Sequence, residues 1–498
     1  MTHYLYLFIV FALSFFSSGG KWNVPLAAWL TPIFILRFYR QSNRPWLDFL
    51  LLWIVTAIPL IVSWSGATFF PRIGEIGFFL VVAPIALIAV AIDRHFHLRL
   101  PTSTMMLFIF PIAATAIDFF QASGSPIGSF GAAAYSQRGF LPAMQIASVT
   151  GLWGITFVMS LFASLVNHLW ENGFQFTRLP LAVTAAIALI LGLGWVRTLL
   201  PTQPQQTAAI AGFSLPEGTL SKAMSQFKSG DEAGFRQAMA DLHAAELGQI
   251  RNLARDGANI VIVQEGGVMG TTDQIEQMIG NASALAKEED IYIVLPTFDF
   301  QQTPPVNSVR IIDPTGAVAL THIKYGGNLF EGTLKGDGLL KTVDTPYGRI
   351  SAIICWDADF PNIVKQAGAQ GVDLLFIPSQ DWSGVRDIHA SMATFRAVEN
   401  GMTIFRQTGQ GVSVVSDPYG RVLHRLDSFE NSAPGEFVAI QNVRTSIRSV
   451  NTLYPVLGDA FGQVMQVGLL GLLVLPWLAR RKKKLVAVEH KQGEVVHS

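Results

Sequence analysis

Long apolar runs decide what this chain can become. Candidate membrane spans lie near 3–18, 23–37, 47–65, 75–92, 103–121, 143–167 and 179–198, and an eighth, VMQVGLLGLLVLPWLA, lies near 464–479. A helix that crosses the hydrocarbon core of a bilayer needs about 20 mainly apolar residues. Composition agrees: half of the 498 residues are hydrophobic and only 14% are charged, against about 25% charged in an ordinary soluble domain. The first run is preceded by MTHY, without Lys or Arg, and no small-residue cleavage site follows it. It is therefore expected to be a retained span and not a secretory signal.

Loop charge orients these spans. With a cytoplasmic N-terminus, the inward loops carry Arg37, Arg40 and Arg44, then Arg94 and Arg99, then Arg178, and Arg480 to Lys484 follow the last span. The short outward loops hold Lys21, Arg72 and Arg138. This asymmetry follows the positive-inside rule. It predicts a seven-helix membrane domain over 1–202, an extracytoplasmic domain over 203–455, a closing span over 462–480 and a cytoplasmic tail over 481–498. Formal net charge is zero, which gives no electrostatic case for nucleic acid.

The segment 203–455 has a different texture. Strand-like runs such as NIVIVQE, IYIVLP and DLLFIPS alternate with polar, helix-compatible stretches at 231–256 and 273–288. Its length suits one α/β domain with its own core. The chain has a single cysteine, Cys355, so no internal disulfide supports the fold.

Three residues at predicted strand ends carry chemical potential. Cys355 closes the run ISAIIC and is followed at once by an aromatic and an acid. A lone cysteine is most often a small buried hydrophobe, but strand-to-loop junctions are where α/β folds place reactive groups, and a thiol there needs a base or a positive neighbour. Glu265 ends the apolar strand NIVIVQ before paired glycines; partial desolvation there favours a base. Lys324 follows the turn DPTG and a strand-like run, and a lysine beside a cysteine can hold an oxyanion.

In order and context, Glu265, Lys324 and Cys355 resemble the Glu-Lys-Cys triad of the nitrilase (carbon–nitrogen hydrolase) superfamily. CWDADFP is similar to that superfamily's cysteine motif, Glu331 matches its second, supporting glutamate, and RAVENGMTIFRQTGQGVSVVSDPYGRV resembles its Arg-x-x-Glu-x-Gly helix and following strands. The resemblance covers about 205–445 and implies an αββα sandwich. With the flanking spans, among them PLAAWLTPIFILRF and GLWGITFVMS, the layout resembles the apolipoprotein N-acyltransferase family, multi-pass enzymes of the bacterial cytoplasmic membrane. That resemblance implies a two-step acyl transfer. Cys355 would attack a phospholipid ester with Glu265 as base, with Lys324 and the Trp356 N–H at the oxyanion. A thioester would then pass its acyl chain to the N-terminal amine of a diacylated apolipoprotein. The resemblance implies no metal or organic cofactor, and a monomer.

Four departures from the family pattern bear on the acceptor. The family's Gln-Gly-Asn at the first strand is IAGFSLPEG here, and its Pro-Glu is Gln264-Glu265. Its aromatic-acid pair after the cysteine is Trp356-Asp357, and its Ser-Asn-Asp-Ala-Trp-Phe-Gly is the shorter SQDWSG. The alternative activity is a membrane-anchored amidase acting on a small C–N substrate; a scaffold or transporter with a degenerate nitrilase fold is disfavoured by the retained triad. Trp356, Phe360 and Trp382 surround the cysteine motif as core packing or as acyl-chain contacts. Asp118 is expected at the outer interface of its span.

Overall fold

The computed structural model describes residues 2–100, 103–201, 207–216, 218–432, 435–446 and 449–474. Helices stand at every predicted span of the N-terminal part: α1 (Thr2–Ser17), α2 (Pro25–Arg40), α3 (Pro45–Ser63), α4 (Arg72–His97), α5 (Met106–Ser123), α6 (Leu152–Glu171) and α7 (Arg178–Thr198). The five from α3 to α7 are long and apolar enough to cross a membrane, whereas α1 is shorter. Proline begins α2 and α3, where its missing N–H is not needed. A last apolar helix covers Ala460–Val474; the end of the eighth predicted span, the Arg480–Lys484 cluster and the tail lie outside the described residues.

One predicted span is corrected. The run 143–167 is not a single helix: Leu141–Met144 and Ala147–Thr150 form two short turns, and α6 starts only at Leu152. Gly151 makes the break, with φ 64°. A Cβ there would fall 2.5 Å from a ring carbon of Tyr454. Only glycine combines that left-handed backbone with so close an approach, and hydropathy cannot register a partner 300 residues away in sequence.

The two ends of the helix bundle differ. At one end Arg40 grips Asp93 of α4 through two bonds of 2.7 and 2.8 Å, and Arg37 and Arg40 both reach Glu171 of α6. Arg94 donates to the carbonyls of Tyr39 and Ser42. At the other end the loops 64–71 and 124–138 meet the second domain. Trp382 Nε1 donates to the Gly66 carbonyl at 2.7 Å, and the Ser129 N–H donates to the Asp359 carbonyl at 2.7 Å. The bundle's arginine-rich end is thus opposite the end that carries the α/β domain.

Among its described residues that domain holds thirteen strands: β1 (Thr207–Ser214), β2 (Ile260–Val263), β3 (Val268–Gly270), β4 (Tyr292–Asp299), β5 (Val306–Ile312), β6 (Val318–Ile323), β7 (Val343–Thr345), β8 (Gly348–Ala352), β9 (Leu374–Gln380), β10 (Thr403–Gly409), β11 (Val412–Ser416), β12 (Val422–Asp427) and β13 (Val438–Ser446). One sheet runs β13-β1-β2-β4-β5-β6 with β3 beside β4, and the other runs β12-β11-β10-β9-β8-β7. Their central strands β1-β2-β4 and β8-β9-β10 are parallel. Such strands are buried on both faces and read as unbroken apolar runs. Ile210, Ile262 and Val294 of the first sheet meet Ile350, Phe376 and Phe405 of the second in one core.

Helices cover both outer faces. On the first sheet lie α9 (Glu232–Arg255) and α10 (Thr272–Glu289), preceded by α8 (Thr219–Lys228). On the second lie α11 (Pro361–Ala369) and α12 (Arg386–Asn400). The result is the αββα sandwich. Helix α12 is buried from Ile388 onward on nearly every side: Ala397 faces the sheet core, while Ile388, Met392, Phe395 and Val398 join the core of the membrane domain. Both domains do the covering, although the helix is not apolar all round and buries His389, Arg396, Glu399 and Asn400 as well. Trp153 and Tyr454 both donate to Asp459, which ties the last helix to the same interface.

Candidate active site

Parallel strands leave their C-terminal ends at one rim, where loops can converge. Glu265 lies two residues beyond β2, Lys324 directly follows β6, and Cys355 lies three residues beyond β8. The sandwich brings all three to that rim. Lys324 Nζ donates to Glu265 Oε1 at 2.7 Å and to Glu331 Oε1. Glu265 also accepts from Asn307 Nδ2 at 2.8 Å and, through Oε2, from the Gln380 backbone N–H at 3.0 Å. The carbonyl of the same Gln380 faces the Cys355 thiol, with Sγ at 3.8 Å. One backbone unit therefore holds the carboxylate with its N–H and the thiol with its C=O.

The group is closed off from solvent: Cys355 is 3%, Lys324 1% and Glu265 6% exposed. Burial pushes the Cys355 thiol well above its ordinary value, the Glu265 charge adds to this, and Lys324 opposes it. Burial disfavours the Lys324 ammonium, but Glu265, Cys355 and Glu331 outweigh it and hold the amine above its usual range. Glu331 is itself raised by burial, with Lys324 pulling the other way. A resting thiol beside a fixed carboxylate and a permanently charged ammonium is arranged for proton transfer on demand.

Cys355 has a φ of 45°. A non-glycine residue held there carries about 1–3 kcal/mol of strain and persists only where its surroundings over-determine it. Asp357 supplies that constraint. Its Oδ2 accepts from the Ile354 N–H at 2.9 Å and from His322 Nε2 at 2.8 Å, and its Oδ1 accepts from the Tyr325 and Gly326 N–H groups. It binds the cysteine turn to the loop that carries Lys324, and it acts on the backbone, not on the reacting atoms. Trp356 turns its ring outward to Phe330 and to Phe69 of the membrane domain, at centroid distances of 5.8 and 5.7 Å. Trp382 bonds Gly66, and the Phe360 ring stacks edge-on to Tyr325. Of the sequence-selected residues, only Asp118 lies elsewhere: it accepts from Thr156 Oγ1 at 2.8 Å and lines two adjoining cavities of about 290 and 340 Å³ in the helix bundle.

Sequence reasoning missed the layer beneath the cysteine. Asp381 Oδ1 accepts from Arg406 Nη2 and from His389 Nδ1, both at 2.9 Å, and His389 Nε2 reaches Asp359 Oδ2 at 3.1 Å. Although burial disfavours its charge, His389 is raised to about 9 by Asp359 and Asp381. Asp381 is lowered to about 2, burial being overcome by Arg406 and His389. Cys355, Asp381 and His389 could in principle ligate a metal, since their donor atoms lie within 4.8 Å of one another. A guanidinium already occupies the carboxylate, and both imidazole nitrogens face carboxylates, so the set is an ion-pair cluster that fits a cation poorly. Asp381 lies inside SQDWSG and Arg406 inside the downstream strand motif, but nothing in either segment points to their pairing. Asn307 has no motif at all.

The carbon–nitrogen hydrolase family pattern matches residues 218–449. An apolipoprotein N-acyltransferase of Shewanella oneidensis is 22% identical over 381 residues, covering 69% of this chain and 68% of its own. One of Geobacter metallireducens is 22% identical over 417 residues, covering 76% and 75%. A crystal structure of an amidase from Nesterenkonia sp. has 18% identity and a TM-score of 0.37, covering 49% of this chain and 92% of the amidase. The two acyltransferases align well beyond the α/β domain, into the helices that precede it. The α/β domain thus matches the carbon–nitrogen hydrolase (nitrilase) family, and the chain with its membrane helices is similar to the apolipoprotein N-acyltransferases.

Proposed function

We propose that this chain is a membrane acyltransferase that carries a phospholipid acyl chain on Cys355 and delivers it to the N-terminal amine of a diacylglyceryl-cysteine lipoprotein. The observation that carries the proposal is the convergence of Glu265, Lys324 and Cys355 at one buried rim. In the first half-reaction Glu265 takes the Cys355 proton and the thiolate attacks the ester carbonyl. Lys324 and the Trp356 N–H stabilise the oxyanion. The C–O bond breaks, the proton returns to the leaving oxygen and lysophospholipid departs. In the second, the lipoprotein amine attacks the thioester with Glu265 as base, the C–S bond breaks and the amide forms. Two half-reactions through one covalent species give ping-pong kinetics. Burial of the triad supports transfer over hydrolysis, because a thioester held away from water survives until the amine arrives.

The proposed topology places the α/β domain outside the cytoplasmic membrane. It is supported by the arginine-rich end of the bundle, where Arg37, Arg40 and Arg94 gather opposite that domain.

Because the chain has one cysteine, intact-protein mass spectrometry assigns any thioester without ambiguity. Incubation with phospholipid is expected to add one acyl mass to the protein and none to Cys355→Ala. A diacylglyceryl-cysteine peptide is then expected to become N-acylated. If the peptide stays unmodified while a small amide is hydrolysed in a Cys355-dependent way, the transferase assignment fails and the amidase takes its place.

A further inference from the structure

Leu215, Gln264 and Gln380, each in a segment that departs from the family pattern, lie far apart in sequence. In the folded chain they touch. The Gln264 amide, on a residue that is 2% exposed, accepts the Leu215 N–H through Oε1 at 2.9 Å and donates through Nε2 to Gln380 Oε1 at 3.1 Å. Gln264 immediately precedes Glu265 and extends β2 of the first sheet. Gln380 ends β9 of the second sheet, and its backbone is the unit that contacts both Glu265 and Cys355. The amide pair is therefore a directional bond between the two sheets at the point where base and nucleophile meet.

Gly409 completes the arrangement. It is the register partner of Gln380 in the β9–β10 pairing, and its carbonyl accepts the Asp381 N–H at 2.9 Å. A Cβ on Gly409 would sit 2.1 Å from Gln380 Oε1 and 2.4 Å from both Gln264 amide atoms. The absence of a side chain at 409 is what leaves room for the two amides. One further polar link lies beside it, where Ser214 Oγ of β1 donates to the Thr408 carbonyl of β10 at 2.7 Å and accepts from Gln407 Nε2 at 2.8 Å. Deeper in, the sheets meet through the apolar core, whose attraction is non-directional and does not set a separation to within a fraction of an ångström.

We propose that Gln264, Gln380 and Gly409 form a positioning clamp that fixes Glu265 against Cys355 and so sets the rate of thiol activation. This rests on the assignment of Cys355 as nucleophile and Glu265 as its base. Neither glutamine side chain touches the reacting atoms; both act through the Gln380 backbone. A small displacement of a catalytic group costs up to about 100-fold in rate for a shift of about 1 Å, so loosening the clamp lowers kcat and leaves KM for the lipid unchanged.

The test uses the full-length chain in detergent, with iodoacetamide alkylation of the single cysteine followed by intact-protein mass spectrometry and, in parallel, lysophospholipid release. Gln264→Ala and Gln380→Ala are each expected to slow alkylation by about 10- to 100-fold and to lower kcat at constant KM. The double variant is expected to be no slower than the slower single, because both break one linkage. Gly409→Ala removes no hydrogen-bonding atom yet is expected to give the same loss, which keeps the test valid if a glutamine variant fails to fold. Wild-type rates in Gln264→Ala, Gln380→Ala and Gly409→Ala, or multiplied losses in the double variant, overturn the clamp. Glu265→Gln separates the two levels. If it slows alkylation while the clamp variants do not, only the clamp falls; if it leaves alkylation unchanged, the base assignment falls and the clamp with it.

Discussion

Asp357→Asn tests whether the cysteine turn is held by a neighbouring side chain, as its geometry requires. The substitution conserves shape and leaves Oδ1 to accept from Tyr325 and Gly326. On the other side an NH₂ replaces the oxygen that accepts from Ile354 N and His322 Nε2. The imidazole can adapt by changing tautomer, but the Ile354 N–H cannot, and it becomes a buried donor facing a donor. An orphaned buried N–H costs about 1–3 kcal/mol. The residue that follows is Cys355 at φ 45°, whose strain of about 1–3 kcal/mol then has a route to relax. Relief of that strain offsets part of the lost bond, so the expected result is a destabilisation of at most about 1–3 kcal/mol in denaturant unfolding. Thioester formation is expected to fall by about 10- to 100-fold as the thiol swings away from Gln380. Both are measurable on one preparation, the first by tryptophan fluorescence and the second by intact mass after phospholipid addition. If Asp357→Asn forms the thioester at the wild-type rate, the left-handed cysteine is not maintained by this carboxylate and the argument for the turn is wrong.

Two further expectations follow from buried charge. Lys324→Ala removes the ammonium between Glu265 and Glu331 and is expected to lower turnover by about 10²–10³-fold, the loss seen when one oxyanion donor is removed. Lys335→Ala, which removes a cation stacked on the exposed side of Tyr325, should leave turnover near wild type, and the opposite ranking in a lysophospholipid-release assay would reassign the lysine. Glu246 is fully buried with neither carboxylate oxygen hydrogen-bonded and is pushed up by burial to about 8. The folded state thus keeps a proton that the unfolded chain releases above about pH 4.5, and stability falls between that pH and about 8 by about 1.4 kcal/mol per unit. Glu246→Gln is expected to flatten this fall and to add about 3 kcal/mol at pH 7; an unchanged pH profile of urea unfolding would show that the carboxyl is ionised in the fold.

Local pattern determined a good deal of this protein. A run of apolar residues long enough to span a bilayer has few other uses, so the helices from α1 to α7 were legible without any tertiary contact. The strands that end near Glu265 and Cys355 were legible too, because a parallel strand buried on both faces must be apolar along its length and a charged or thiol residue at its end stands out. The partly exposed edge strand before Lys324, antiparallel to its neighbour, was marked by the turn DPTG that precedes it. Tertiary structure alone decided the rest. Gly151 breaks a span that hydropathy reads as continuous, because Tyr454 needs the space. Helix α12 is buried by two domains at once, which no periodicity in its own sequence announces. The pairing of Asp381 with Arg406 and His389, the Asn307 bond to Glu265 and the link from Gln264 to Gln380 join residues separated by 8 to 116 positions. A polar residue in a sequence carries its donors and acceptors with it, but which of them are buried, and therefore must find a partner, depends on how the two sheets close on each other.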